Sequence, residues 1–231
     1  KGRRYLDAVS SLWANVHGHR QPEIDRAVQR QIKKIAHSTF LGLTHEPGIR
    51  LAQELIRAAT PGLKRVFYSD NGSTSVEVAL KMAFQYGGRN GNSRKSAPGF
   101  MTLKNSYHGD TIGAVSLGGI DLFHKKFKPL LFGSQKAMSP FCLRCPHNKR
   151  KPRRSITFYE YKGESPKSGD PRPETGCRWE CLKSAESILK KSKPRVAAAI
   201  VEPIVQGAGG MNVAPPGYLR GLSDLCRKYG V

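Results

Sequence analysis

The stretch Arg65–Phe84, RVFYSDNGSTSVEVALKMAF, does most to limit how this chain can fold. Arg65–Ser69 has the make-up of a short strand, Asp70-Asn71-Gly72 that of a tight turn, and Ser73 or Thr74 is placed to cap a helix. Thr74 with Glu77 three residues on has the form of a capping box, which satisfies two N–H groups that a helix start leaves unbonded. Val76, Ala79, Leu80, Ala83 and Phe84 then recur at helical spacing and give one apolar face. A strand–glycine–hydroxyl–helix unit offers bare backbone N–H groups, the positive end of a helix dipole and two hydroxyls, which together can seat a phosphate. An ordinary strand-to-helix turn with a Ser/Thr cap has the same local pattern. The stretch alone does not separate the two.

The flanking sequence supplies the rest of an α/β domain. Tyr5–Val9 reads as a strand, and Ser10–His19 leaves it as a loop. Pro22–Ile35 carries an apolar stripe through Ile24, Ala27, Val28, Ile32 and Ile35, and Gly48–Ala59 repeats it before Pro61-Gly62 ends the helix. After a Gly/Asn/Ser loop at Gly87–Pro98, Gly99–Leu103 is apolar enough for a buried strand. Val115–Leu117 and the Gly118-Gly119 break follow, then a helix-like or irregular stretch to Phe132. Trp179–Lys193 reads as helix, Arg195–Val201 as strand, Gly207–Gly210 as a flexible loop and Pro216–Tyr229 as a final helix. Strand and helix alternate from Arg65 onward, which predicts a mainly parallel sheet with helices on both faces. Phe141–Gly176 differs in kind: rich in Pro, Ser, Arg and Lys, it predicts a long exposed excursion, with a basic insertion at about 146–176.

Composition narrows the partners. The 231 residues hold 39 Lys+Arg against 17 Asp+Glu, a net charge of +22. These charges are scattered, with concentrations at Lys149–Arg154 and Lys190–Arg195, and no aromatics are interleaved with them as a nucleic-acid stacking platform requires. The balance therefore reads as a basic, solvated surface whose field favours a small anionic ligand, not as a nucleic-acid site. No apolar run approaches the length of a membrane span.

Three segments each follow an apolar strand: Asn71-Gly72-Ser73-Thr74, Tyr107-His108-Gly109-Asp110 and Glu202–Gly207. A parallel sheet brings such segments to one rim, the edge at which open α/β sheets bind ligands. A phosphate seat, an aromatic face and a carboxylate on that rim suit a flat phosphorylated cofactor.

Tyr68–Ala83 (YSDNGSTSVEVALKMA), Asn105–Asp110 (NSYHGD) and Ile200–Met211 (IVEPIVQGAGGM) resemble the class III aminotransferases, enzymes that use pyridoxal 5'-phosphate. The resemblance implies the large domain of a fold-type I transferase over residues 47–231, with residues 1–46 contributing to a substrate pocket and a dimer interface. Gly72, Ser73 and, as their neighbour, Thr74 would then hold the cofactor phosphate. Tyr107 would stack on its ring and touch substrate, and Glu202 would support the site from behind, while His108 and Asp110 shape the turn. Val9–His19 (VSSLWANVHGH), His37–His45 and Asp110–Phe127 narrow the resemblance to the branch of the family that serves biotin synthesis. That branch implies 8-amino-7-oxononanoate as acceptor, S-adenosylmethionine or lysine as amino donor, a cytoplasmic homodimer, and Trp13 as a wall for the aliphatic chain of the substrate, with packing at the dimer interface as the alternative for Trp13. Leu12 stands where some relatives carry a second aromatic. A member acting on an ω-amino acid or ornithine is the alternative.

In the family pattern the lysine that bonds the cofactor, the aspartate that pairs with its ring nitrogen and the arginine that receives the substrate carboxylate all come after Val231. Lys81 and Lys104 do not stand in that lysine's context. The expectation is therefore a fragment unable to turn over by itself. Cys142-Leu-Arg-Cys145 and Cys177-Arg-Trp-Glu-Cys181 have spacings that could hold zinc. The family uses no metal in catalysis, and the resemblance implies reduced thiols in and beside a loop. Cys226 falls on an apolar helical stripe, as a small buried residue would.

Overall fold

A computed structural model describes residues 2–90, 99–147, 178–192 and 195–231. Two compact units emerge, Lys1–Phe67 and Tyr68–Val231. The expected boundary between residues 46 and 47 lies inside the first of them.

In the first unit, Tyr5–Val9 joins no strand ladder among the described residues and is not a strand. An apolar run becomes a strand only where a neighbour accepts its backbone bonds, and among the described residues none does. The chain runs instead into a single turn, α1 (Ser10–Trp13), whose four residues all have positive φ. This is left-handed winding, which costs about 1–2 kcal/mol for each L residue. Two right-handed helices follow. α2 (Pro22–Lys34) begins with a proline that has no N–H to leave unbonded, and it sets Glu23 and Asp25 in its first turn and Lys33 and Lys34 in its last, as the helix dipole favours. α3 (Glu46–Ala58) starts where His45 Nδ1 accepts the Gly48 N–H at 3.1 Å, with the Phe40 ring 4.7 Å from the His45 ring. Neither helix buries its stripe: Ile24, Val28 and Ile32 on α2, and Ile49, Leu51 and Leu55 on α3, are all exposed.

The second unit opens with α4 (Gly72–Asn90), which runs four residues into the loop expected from Gly87. Arg65–Ser69 ahead of it, a second expected strand, is not one. β1 (Gly99–Leu103) is the middle strand of a parallel three-stranded sheet. α5 (Ile112–Leu117), α6 (Asp121–His124) and a 3-10 turn at Lys125–Leu130 lead to β2 (Gln135–Ala137) on one side of it. α7 (Glu180–Lys191) leads to β3 (Val196–Ala199) on the other. The expected Gly207–Gly210 loop proves to be the turn of a small antiparallel hairpin, β4 (Val205–Gln206) and β5 (Asn212–Val213), before α8 (Tyr218–Tyr229).

Side chains alternate across β1 as a strand requires. Met101 and Leu103, fully buried, point toward Cys181, Ala185 and Leu189 of α7 and Tyr218 and Leu222 of α8, which close one face. Each large side chain buried there contributes about 1.5–3 kcal/mol. Phe100 and Thr102 point the other way, Phe100 to Phe132 and Thr102 to Ser106 and His108. That second face underlies the rim where the candidate site lies. Of the expected excursion only its beginning, through His147, is described, with a 3-10 turn at Cys142–Arg144. The basic insertion from residue 148 on, and Cys177, lie outside the described residues.

Candidate active site

α4 begins differently from the expected capping box. Asn71 is the cap: its Oδ1 accepts the Thr74 N–H at 3.0 Å. Thr74 Oγ1 folds back into the turn, 2.5 Å from Asp70 Oδ1 and 2.6 Å from Ser69 Oγ. Glu77 does not reach back to the helix start. It accepts the Gly113 N–H at 2.7 Å and so ties α4 to the first turn of α5. Gly72 and Ser73 are left at the tip, and a Cβ on Gly72 would meet nothing within 4 Å.

The Tyr107 loop lies against this tip because residue 109 is glycine. Its φ is +121°, and a Cβ there would stand 2.1 Å from Ser73 Oγ and 3.0 Å from Ser73 Cα. The close approach lets Ser73 Oγ accept the Asp110 N–H at 3.2 Å. Asp110 also accepts the Tyr107 hydroxyl proton at 2.6 Å, and this bond, with burial second, raises the phenol to about 12. Tyr107 therefore keeps its proton at neutral pH and presents an uncharged ring. Behind it, Glu202 accepts two backbone N–H groups, that of Tyr107 at 3.1 Å and that of Gly207 at 2.9 Å. The three rim segments are thus linked by direct bonds, α4 to the Tyr107 loop and the Tyr107 loop to the hairpin.

His108 turns inward, its Nε2 3.1 Å from Thr102 Oγ1. Burial, with the nearby Lys136 charge second, lowers its ring to about 4, so the ring is neutral and structural. Lys136 donates to the carbonyls of Leu117 (2.8 Å) and Gly118 at the end of α5, the helix terminus where a cation is favoured. Burial nonetheless pushes its amine down to about 8.

An open cleft of about 520 Å³ is lined by Asn71, Gly72, Ser73, Tyr107, His108, Gly109, Asp110 and Thr111. Gly72, Ser73 and Tyr107 are brought together in it. Thr74 and Glu202 stand behind the lining, and no lysine belongs to it. Trp13 lies in the other unit, on the left-handed turn, 59% exposed. A second cleft of about 290 Å³ lies between α7 and α8, lined by residues such as Leu182 and Leu225 under charged Lys183, Glu186, Asp224 and Lys228. Among the described residues no three His, Cys, Asp or Glu side chains are grouped to hold a metal ion. Cys181 is buried in the core, while Cys142 and Cys145 are half-buried at the 3-10 turn. Cys226, expected buried, is half-buried against the same core, and burial raises its thiol.

The family model for aminotransferase class-III matches residues 1–231. The chain belongs to the class III aminotransferases. Adenosylmethionine-8-amino-7-oxononanoate aminotransferase of Nitratidesulfovibrio vulgaris is 50% identical over all of the chain and 38% of its own length. The solved structure of the enzyme of that name from Methanocaldococcus jannaschii is 36% identical with a TM-score of 0.77, covering 100% of this chain and 44% of that one. A PLP-bound amine transaminase from an uncultivated Pseudomonas species is 32% identical with a TM-score of 0.76, again over 100% of this chain and 47% of its own. The chain thus spans less than half the length of these relatives. Its fold is that of the fold-type I transferases, with a parallel sheet between helices.

The residues present fit a phosphorylated, ring-bearing cofactor. The open tip of α4 offers backbone N–H groups and a hydroxyl, and the uncharged phenol ring of Tyr107 lines the same cleft. Two contributors are not singled out by the sequence patterns above. Asn71 was overshadowed by the better-known Thr–x–x–Glu pattern, and the role of Gly109 shows only in the distance to Ser73. The Asp-Asn-Gly run before an apolar helix was the available hint for Asn71.

Proposed function

We propose that this chain is the cofactor-binding part of a pyridoxal-phosphate-dependent aminotransferase that converts 8-amino-7-oxononanoate to 7,8-diaminononanoate in biotin biosynthesis, with S-adenosylmethionine as amino donor. The observation that carries the reading is that Ser73 and Tyr107 line one cleft, with Asp110 bonded to both. The backbone N–H groups of Gly72 and Ser73 and the Ser73 hydroxyl bind the phosphate, helped by the dipole of α4. Thr74 acts one step back by fixing the turn. Tyr107 covers one face of the cofactor ring, held in its tilt by Asp110 at the hydroxyl and by Glu202 at the backbone. When bound, pyridoxal phosphate supplies the electron sink that amino-group transfer needs. Trp13 excludes water from the methylene chain of the acceptor, each buried CH₂ being worth about 0.8 kcal/mol. The reactive lysine comes from a part of the protein outside this sequence, and the working unit is a cytoplasmic homodimer.

The test is a full-length enzyme carrying this sequence. It binds pyridoxal phosphate with a visible absorbance band and forms diaminononanoate from the two named substrates. Ser73→Ala weakens cofactor binding about tenfold, as loss of a hydrogen bond to a charged group would. A preference for ω-amino acids or ornithine over 8-amino-7-oxononanoate would replace the substrate assignment and leave the cofactor site standing. Failure to bind the cofactor would remove both.

A further inference from the structure

The left-handed turn of the first unit is anchored on one carboxylate. Ser10, Ser11, Leu12 and Trp13 have φ of 50°, 48°, 60° and 69°, a region that L residues visit singly and seldom in series. Backbone bonds from Trp13 N–H to Val9 O (2.8 Å) and from Asn15 N–H to Ser10 O (2.9 Å) close the turn. The side-chain bonds converge on Asp7. Its Oδ1 accepts the Ser11 N–H at 2.9 Å and its Oδ2 the Ser11 hydroxyl at 2.8 Å. His19 Nε2 lies 3.0 Å from the same Oδ2, and Asn15 Nδ2 lies 3.2 Å from His19 Nδ1. On this turn Leu12 and Trp13 are 78% and 59% exposed. Strain of this kind persists only where surrounding bonds over-determine it, and it collects where a side chain must be presented in one direction.

We propose that Asp7, braced by His19, is a positioning residue for acceptor specificity: its carboxylate holds the left-handed turn that presents the Trp13 indole to the apolar part of the substrate, without touching substrate itself. The inference rests on the reading of Trp13 as a substrate wall. Asp7 acts through backbone geometry, so its loss lets Ser10–Trp13 relax toward right-handed winding and turns the indole away. The bonds to Ser11 and His19 also keep the Asp7 carboxyl at about 2, ionised across the working pH range.

The experiment uses the full-length holoenzyme with two readouts, steady-state kinetics and amide hydrogen exchange at Ser10–Asn15. Asp7→Ala is expected to speed exchange there and to raise the KM for 8-amino-7-oxononanoate about tenfold, as losing the burial of about two methylenes would. The kcat, the KM for S-adenosylmethionine and the cofactor absorbance stay near the parent values. Asp7→Ala/Ser11→Gly recovers most of the KM, because glycine enters the left-handed region without a Cβ penalty. Asp7→Asn, which retains an acceptor for the Ser11 N–H, gives an intermediate effect and serves if the alanine variant does not fold. Unchanged exchange in Asp7→Ala overturns the positioning role. Faster exchange with an unchanged KM leaves Asp7 as the turn's anchor and overturns the link to specificity, with Trp13→Ala showing whether the wall itself has failed. A raised KM that glycine does not relieve also overturns the proposal.

Discussion

Gly109 shows how one residue decides whether two loops can meet. Alanine there carries a methyl into Ser73 and holds a φ that suits only glycine. We expect Gly109→Ala to lose about 2 kcal/mol or more of unfolding free energy in a denaturant titration, the usual scale of overpacking plus backbone strain. His108 is the residue to follow by pH. Its folded value of about 4 lies below its ordinary 6.5, so between those limits the folded chain binds fewer protons than the unfolded one. The His108 contribution to stability is therefore complete above pH 6.5 and is lost as the pH falls through 4. An NMR titration should find the ring still neutral at pH 5.5, and His108→Gln should flatten that part of the stability profile. Tyr218 offers the opposite kind of test. Its buried hydroxyl has no hydrogen-bond partner among the described residues, and burial raises its ionisation well above the ordinary range. Tyr218→Phe should leave stability unchanged or raise it by about 1 kcal/mol, since it removes an unsatisfied polar group and keeps the ring.

At the scale of elements, the cap on α4 is open to the same treatment. Asn71→Ala removes the acceptor for the Thr74 N–H and should cost about 1 kcal/mol, seen as a lower midpoint in thermal unfolding, whereas Glu77→Gln should act chiefly through the Gly113 bond. Amphipathic periodicity made α2, α3, α7 and α8 legible in the sequence, and unbroken apolar runs did so for β1 and β3. These patterns report burial, which is what the strands and the later helices have. Tyr5–Val9 and Arg65–Ser69 had strand composition without strand neighbours among the described residues, and pairing is a property of two segments that neither one encodes alone. The β4–β5 hairpin was hidden because four residues of pairing around a Gly-rich turn leave almost no periodic signal. The three rim segments were legible as sequence runs following strands. The bonds that join them were not, because Asp110 N–H to Ser73 and Tyr107 N–H to Glu202 span 37 and 95 residues of chain. The left-handed turn had no residue signature either: Ser-Ser-Leu-Trp lacks the glycine or asparagine that usually marks positive φ.

Taken whole, the chain is uneven in how it buries apolar surface. The second unit holds the core, whereas in the first the only buried residue of α2 and α3 is Gly48. A peptide of residues 1–67 alone should therefore show little helix by circular dichroism, since helices of this length depend on packing. Among the described residues no helix is long and apolar enough to cross a membrane. The charge of +22 adds self-repulsion, and raising the salt concentration should raise the thermal midpoint of the protein. One carboxylate gives the molecule a different kind of unity. Because Glu202 grips the amides of Tyr107 and Gly207 together, the hairpin and the aromatic face behave as the two arms of a lever. Substitutions in the hairpin, though they touch no ligand, should then announce themselves in the colour of the bound coenzyme.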